Sequence, residues 1–205
     1  MESYLEKSFE YIYNNGIWNN KNKDIPLSGP GSSIENTINV ILFLDSFIYN
    51  NNIKNILDLG CGDLTWTINT KYFNDNNIVY TGVDIVGSLI EKHSLNYPSK
   101  KFMKKNIILW DNIENYDLII VRDVLFHLAN LQISKIFKNL KNKFKFIAIT
   151  SCKNEINNDI FDETLFSSKN IHEIPFNINK NFLLICDEEK FNRNLYIYTH
   201  DQFYS

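Results

Sequence analysis

The sequence predicts an α/β fold: a mostly parallel, seven-stranded sheet with helices on both faces and an N-terminal helical extension over residues 1–52. Three observations predict it. Apolar, β-branched runs of strand length alternate with helix-period segments from residue 55 to residue 151, the pattern of a parallel sheet covered on both sides. Two further strand-like runs close the chain. A content of 44% hydrophobic and 14% aromatic residues over 205 positions is enough to bury one sizeable core, so residues 1–205 read as a single domain.

The elements follow in order. "SYLEKSFEYIYNN" (3–15) and "SIENTINVILFLDSFIYN" (33–50) carry apolar residues at three- and four-residue spacing and predict two helices. Between them "IPLSGPGSS" (25–33) is dense in Gly, Pro and Ser and predicts a loop. Strands are predicted at "NILDLG" (55–60), "IVYTGVD" (78–84), "KFMKKN" (101–106), "YDLIIVR" (116–122) and "FKFIAITS" (144–151). Helical patterns separate most of them: "LTWTINTKYF" (64–73), "VGSLIEKHSLNY" (86–97) and "LQISKIFKNLKN" (131–142). "NFLLICDE" (181–188) and "NLYIYTH" (194–200) form the closing pair, joined by a short charged turn.

Composition excludes several classes. A net charge of −3 and a pI near 5.8 weigh against binding to a phosphate backbone, which usually needs a basic face. "MESYLEKSFE" lacks the basic-then-apolar order of a secretion signal and no run approaches the length of a membrane span, so a soluble, cytoplasmic protein without membrane contact is expected. Cys61, Cys152 and Cys186 have no metal-like spacing and are expected as free, partly buried thiols. The abundant Asn carries no functional reading.

Chemistry concentrates first in "ILDLGCGDLTW" (56–66). Gly60 and Gly62 fall where the first strand hands over to the next element. In open α/β sheets ligands bind outside the carboxyl ends of the strands, and glycine there lets backbone approach them closely. A tight turn with nothing bound would look the same. Asp84 ends the next strand about 20 residues on, where a carboxylate accepts both hydroxyls of a ribose. Together they describe a nucleoside pocket. The dinucleotide fingerprint G-x-G-x-x-G fails here, since Thr65 stands at its third glycine.

Asp58-Leu59-Gly60-Cys61-Gly62, with Asp84, "FMKKNIILW" (102–110) and "YDLIIVRDVLFHL" (116–128) in order, resembles the motif set of the class I S-adenosylmethionine (SAM) methyltransferases. The resemblance implies a Rossmann-like methyltransferase fold, SAM as cofactor and S-adenosylhomocysteine as product. It places Asp58, Gly60, Gly62, Asp84 and Ile85 at the cofactor. Asn106, with Ile107, takes the place of a usual Asp at the adenine amine and still offers a side-chain amide. "SGPGSS" offers amides and hydroxyls from Ser28, Gly29 and Ser32 to the amino-acid carboxylate of SAM, while Ser32 or Ser33 is equally suited to capping the next helix. "LSGPGSSIENT", "CGDLTW", "RDVLFHL" and "IPFNI" are similar to a bacterial and viral subgroup with SGxGS, CGDxxW and RDxxxHL segments, some of whose members are associated with surface-glycan genes. That implies a sugar-like acceptor.

For a hydroxyl acceptor the chain must align the nucleophile and remove its proton. His127 is the expected general base. Asp123, four residues earlier and one helical turn away if the segment is helical, is expected to orient it or to serve as a metal-side carboxylate. A half-buried histidine capping the next helix is the competing reading. Arg122 stands with the cofactor set, either holding the loop after the fourth strand or gripping an anionic acceptor such as a nucleotide-sugar phosphate. Trp66 either stacks on a ligand or fills the core.

Other acceptors fit less well. Amine and amide methylation typically uses [N/D]-P-P-[Y/F], where this chain has Arg122-Asp123-Val124-Leu125. Cytosine methylation needs a Pro-Cys nucleophile in that region. RNA ribose 2′-O-methylation needs a Lys-Asp-Lys-Glu set, of which Asp123, Lys153 and Glu188 are in place but an early lysine is not. A SAM-binding module without catalysis is the reading from another class. In "SCKNEINNDIFDETLFSSKNIHEIP" (151–175), Asn157, Asn158 and Asp159 are placed either at sugar hydroxyls or in a solvated loop, and His172 is a second candidate base. No metal site is expected, and a role for Mg²⁺ has no support, because Asp123, Asp159 and Asp162 would meet only if the fold gathered them.

Overall fold

The computed structural model describes residues 4–160 and 166–205, which gather into two compact units, Met1–Lys105 and Asn106–Ser205. The first holds α1 (Tyr4–Asn15), α2 (Ile34–Asn50), β1 (Asn55–Leu59), α3 (Lys71–Asn74), β2 (Val79–Asp84), α4 (Gly87–Asn96) and β3 (Lys101–Lys104). Its strands run parallel in the order β3-β2-β1, with Asp58 opposite Gly82 and Asp84 opposite Lys104. Ile56, Leu57 and Leu59 of β1 are all buried, as a strand covered on both faces requires. Gly82 leaves room for a neighbour: a Cβ there would lie 2.8 Å from the Phe102 ring.

α1 ends as its sequence dictates. Gly16 adopts φ +59°, and the amides of Ile17 and Gly16 return to the carbonyls of Ile12 (3.0 Å) and Tyr13 (3.3 Å). This paired closure satisfies carbonyls that the helix end would leave open.

The helix expected over 64–73 is the main correction. Leu64 sits at φ 61°, a 3-10 turn covers Thr67–Asn69, and only the four residues of α3 are α-helical. The Thr70 hydroxyl bonds both ways, donating to Thr67 O (2.7 Å) and accepting from Phe73 N (3.2 Å), so it closes one turn and caps the next. From α2, the buried Asp45 carboxylate accepts the amides of Lys71 (2.9 Å) and Tyr72 (3.2 Å). A tertiary cap thus fixes where α3 starts.

The second unit holds β4 (Tyr116–Val121), α5 (Asn130–Leu140), β5 (Phe144–Cys152), β6 (Leu184–Glu188), β7 (Arg193–Thr199) and α6 (His200–Tyr204). Its strand order is β4-β5-β7-β6, with β4 parallel to β5 and β7 antiparallel to both neighbours. All seven expected strands are present, and the class is the α/β one expected. The charged turn of the closing pair is a 3-10 turn at Glu189–Phe191 followed by Asn192 at φ 51°. The sequence reading passed over α6, although Thr199 and Gln202 form a capping box that announces it. No helix among the described residues is long and apolar enough to cross a membrane.

Candidate functional site

In the first unit the glycine turn is clamped on both of its backbone groups. Gly62, at φ 58°, donates its amide to Asp84 Oδ2 (2.9 Å), and its carbonyl accepts from His93 Nε2 (2.8 Å). Because a carbonyl only accepts, Nε2 carries the proton and His93 is the donor. Burial pushes the His93 pKa below its ordinary value, against the bond to Gly62 O, which favours the charged ring. Gly60, at φ 73°, donates to Val83 O (2.7 Å), and the next amide, of Cys61, shares that acceptor (3.0 Å). Asp84 completes the turn by accepting from Val86 N through Oδ1 (3.0 Å). Its carboxyl is raised by burial, against which the amides of Val86, Gly62 and Ile85 act to lower it.

The "SGPGSS" loop is tied to this turn through a residue the sequence reading passed over. The Asp63 carboxylate accepts Ser28 N (3.0 Å), Ser28 Oγ (2.9 Å) and Thr65 N (3.1 Å). Gly29 adopts φ 92°, ψ 172° beside Trp18. Ser32 is buried, and Ser33 occupies the cap position of α2 with no side-chain cap bond. Asp58 accepts the Tyr80 hydroxyl (2.7 Å), Ile85 packs against Tyr13, Val86 and Leu89, and Trp66 is buried in the core. Tyr13, Glu10 and His93 also belong to this neighbourhood. They carry no local signal, because only the fold brings α1 and α4 to the turn.

In the second unit, Asn106 Oδ1 accepts Ile108 N (3.0 Å), and Ile107 beside it is half-buried. Beyond β4 lies a buried lattice of four charges. Arg122 reaches Glu188 Oε2 (2.6 Å) and Asp123 Oδ2 (3.1 Å), and Arg193 reaches the same two oxygens at 3.1 and 2.7 Å. The Arg122 and Glu188 side chains are 2% and 3% exposed, so each charge depends on its counter-ion. Asp123 Oδ1 and Glu188 Oε1 make no hydrogen bond among the described residues. Burial raises the Asp123 carboxyl, and the two guanidiniums oppose the shift.

The expected helical spacing from Asp123 to His127 is not formed. Asp123 stands at φ 60°, its amide on Thr150 Oγ1 (3.4 Å), and a single 3-10 turn, Leu125–His127, follows. His127 is half-buried, its ring edge-on to Phe126 (6.2 Å) and Phe166 (6.5 Å).

The loop after β5 is pinned by its own side chains. Asn157 is buried; its amide group donates to Asn170 O (2.8 Å) and Ile174 O (2.9 Å) while its oxygen accepts Asn170 N (2.7 Å). The fully buried Lys169 donates to Asn130 Oδ1 (2.9 Å) and Asn158 O (2.6 Å), and Asp159 accepts Asn130 N (2.8 Å). Neither a solvated loop nor a free set of sugar-binding amides describes Asn157. His172 bonds Ile178 O through Nδ1 (3.0 Å), and its Nε2 is buried without a partner. Lys153 pairs with Asp187 (2.9 Å). The three cysteines are free and buried, and burial pushes the Cys186 thiol up to about 11. Asp162 lies outside the described residues, among which no cluster of metal-binding side chains occurs.

No curated protein matches the chain by sequence. Magnesium protoporphyrin IX methyltransferase from Synechocystis PCC 6803, solved with bound SAM, has a TM-score of 0.64 at 12% identity over 94% of this chain and 93% of that one. The methyltransferase domain of bacterial CtHen1-C has a TM-score of 0.60 at 16% identity, over 80% and 98%. An O-methyltransferase of a trans-AT PKS multienzyme of Brevibacillus brevis, in complex with S-adenosyl-L-homocysteine, has a TM-score of 0.50 at 18% identity. That match covers 67% of this chain and only 48% of the Brevibacillus protein. At these identities the likeness shows the fold. A family model described as a methyltransferase domain matches residues 38–154, more than half of the sequence, and the chain belongs to that methyltransferase-domain family.

Proposed function

We propose that the chain is a SAM-dependent methyltransferase that methylates a hydroxyl of a small acceptor, a sugar or nucleotide sugar. One observation carries the cofactor part: the left-handed glycine turn whose Gly62 amide is fixed by the buried Asp84 carboxylate. The donor set fits a nucleoside. Each Asp84 oxygen accepts one backbone amide and keeps a lone pair for a ribose hydroxyl. Family membership and fold neighbours solved with SAM or S-adenosylhomocysteine support the same cofactor. In this reading Gly60 and Gly62 admit the ligand to the backbone and Ile85 packs beneath it. Asp58 props the turn through Tyr80, Asn106 and Ile107 meet the adenine, and Ser28, Gly29 and Ser32 receive the amino-acid end.

When bound, SAM supplies a methyl group already made electrophilic by its sulfonium. His127 accepts the proton of the acceptor hydroxyl. Asp123, engaged by Arg122 and Arg193, anchors the backbone that presents His127. Arg122 serves that lattice rather than a phosphate. The hydroxyl assignment is supported by Arg-Asp-Val-Leu in place of an amine-methylating segment. The sugar assignment is supported by the SGxGS, CGDxxW and RDxxxHL segments and by the acidic net charge.

Mass spectrometry of the chain incubated with SAM and a panel of nucleotide sugars, free sugars and capped RNA, with and without Mg²⁺, tests the proposal. A methylated sugar is the expected product. Methylated RNA would replace it with the ribose 2′-O reading, which the meeting of Asp123 and Glu188 on Arg193 favours. Bound cofactor without any product across the panel would favour a binding module.

A further inference from the structure

α1 lies outside the matched family segment, which starts at residue 38, yet it is fastened to the elements that build the cofactor turn. Glu10 accepts Ser88 N (3.0 Å) and Ser88 Oγ (2.8 Å) at the start of α4, and Glu6 pairs with Lys104 at the end of β3. Tyr13 sits on the buried side of α1. Its ring packs against Val86, Leu89 and the edge of Trp18, 5.4 Å away.

The hydroxyl of that ring points at the glycine turn. A Cβ built on Gly62 would lie 3.1 Å from Tyr13 Oη and 3.6 Å from Ser28 Cβ, so the two side chains bracket one point above the Gly62 backbone. Tyr13 is only 8% exposed, its hydroxyl makes no hydrogen bond to a described residue, and the oxygen itself keeps some contact with solvent. A ligand that accepts from it takes the place of water there. Burial and the nearby Asp84 and Asp63 carboxylates keep the phenol protonated, so it is a donor. Neither carboxylate accepts from it: Asp84 takes the amides of Gly62 and Val86, and Asp63 those of Ser28 and Thr65.

The neighbour selects the part of the ligand. In the reading above Ser28 and Gly29 receive the amino-acid end of the cofactor, and Tyr13 Oη shares with Ser28 the point above the Gly62 backbone. We propose that Tyr13 contacts the cofactor, its hydroxyl donating to the amino-acid carboxylate of SAM while α1 caps the glycine turn. The assignment rests on the SAM reading above.

Titration calorimetry of the full chain separates the two. The probes are S-adenosylhomocysteine and 5′-methylthioadenosine, which keeps the base, ribose and sulfur but lacks the amino acid. Tyr13→Phe keeps the ring and is expected to weaken S-adenosylhomocysteine binding about five- to tenfold while leaving 5′-methylthioadenosine binding and the melting temperature unchanged. Unchanged binding of both probes, or an equal loss for both, overturns the role of Tyr13 and leaves the SAM reading standing. A wild-type chain that binds neither probe overturns the SAM reading and the Tyr13 assignment with it.

Discussion

At the scale of single residues, the parts of the cofactor turn that were legible are those written locally. A glycine pair after an apolar run, then an acid at the next strand end, mark a strand-to-helix turn because left-handed backbone and a terminal carboxylate are demanded by neighbours in sequence. Tyr13 and His93 were illegible for the opposite reason. A lone Tyr on an amphipathic helix and a lone His on another look like ordinary core residues until tertiary structure sets both against Gly62. Asp123 and His127 were legible as chemistry but not as a pair. Their spacing suits an α-helix, and the chain instead turns through a left-handed Asp123 into a 3-10 turn. His127 keeps the role of proposed base, but not at one helical turn from Asp123. His127→Ala is expected to lower the methyl-transfer rate about 10²- to 10⁴-fold, the usual contribution of a general base. S-adenosylhomocysteine affinity, measured in parallel, should stay within about twofold, a change smaller than one lost hydrogen bond. Loss of affinity together with loss of fold would assign His127 a structural role instead.

Among the elements, the strands were easiest to read, since most are short apolar runs rich in β-branched residues and bounded by polar or glycine positions. The misread element is the stretch after the glycine turn. Its apolar spacing suits one helix, but the Thr70 hydroxyl bonds back to Thr67 O to close a tight turn, and the start of α3 is fixed from outside by Asp45. No periodicity contains such a cap. Asp45 is 5% exposed, so its removal leaves the amides of Lys71 and Tyr72 without their acceptor in a dry place. Asp45→Ala is expected to cost about 1–2 kcal/mol, the upper part of the range for a lost helix cap. Urea unfolding followed by circular dichroism reads that loss directly. A midpoint equal to wild type would mean that water replaces the carboxylate and that α3 does not depend on α2.

Over the whole molecule, the alternation of strand and helix was enough to read the class, while the long segment after β5 was not readable. Its Asn-rich composition looks like a solvated loop, yet Asn157 and Lys169 serve as internal fasteners. Stability as a function of pH sums over such buried groups. His93 and His172 both have pKa values lowered by burial, so the unfolded chain takes up protons on acidification before the folded one does. Stability is then fully present above the unfolded histidine value, about 6.5, and falls as pH drops through it towards the folded values. The slope is at most about 1.4 kcal/mol per pH unit for each histidine. Asp84 and Asp123, raised by burial, act with the opposite sign, because the folded chain holds their protons more tightly. Replacing the histidines isolates their share: His93→Gln keeps a donor for Gly62 O, and His172→Asn keeps one for Ile178 O. Between about pH 7.5 and 5.5 the wild type is expected to lose stability relative to this double variant by about 1–2 kcal/mol, read from chemical denaturation at each pH. Parallel curves for the two proteins would show that the histidines titrate alike in the folded and unfolded chains, and that the clamp on Gly62 does not depend on a neutral ring.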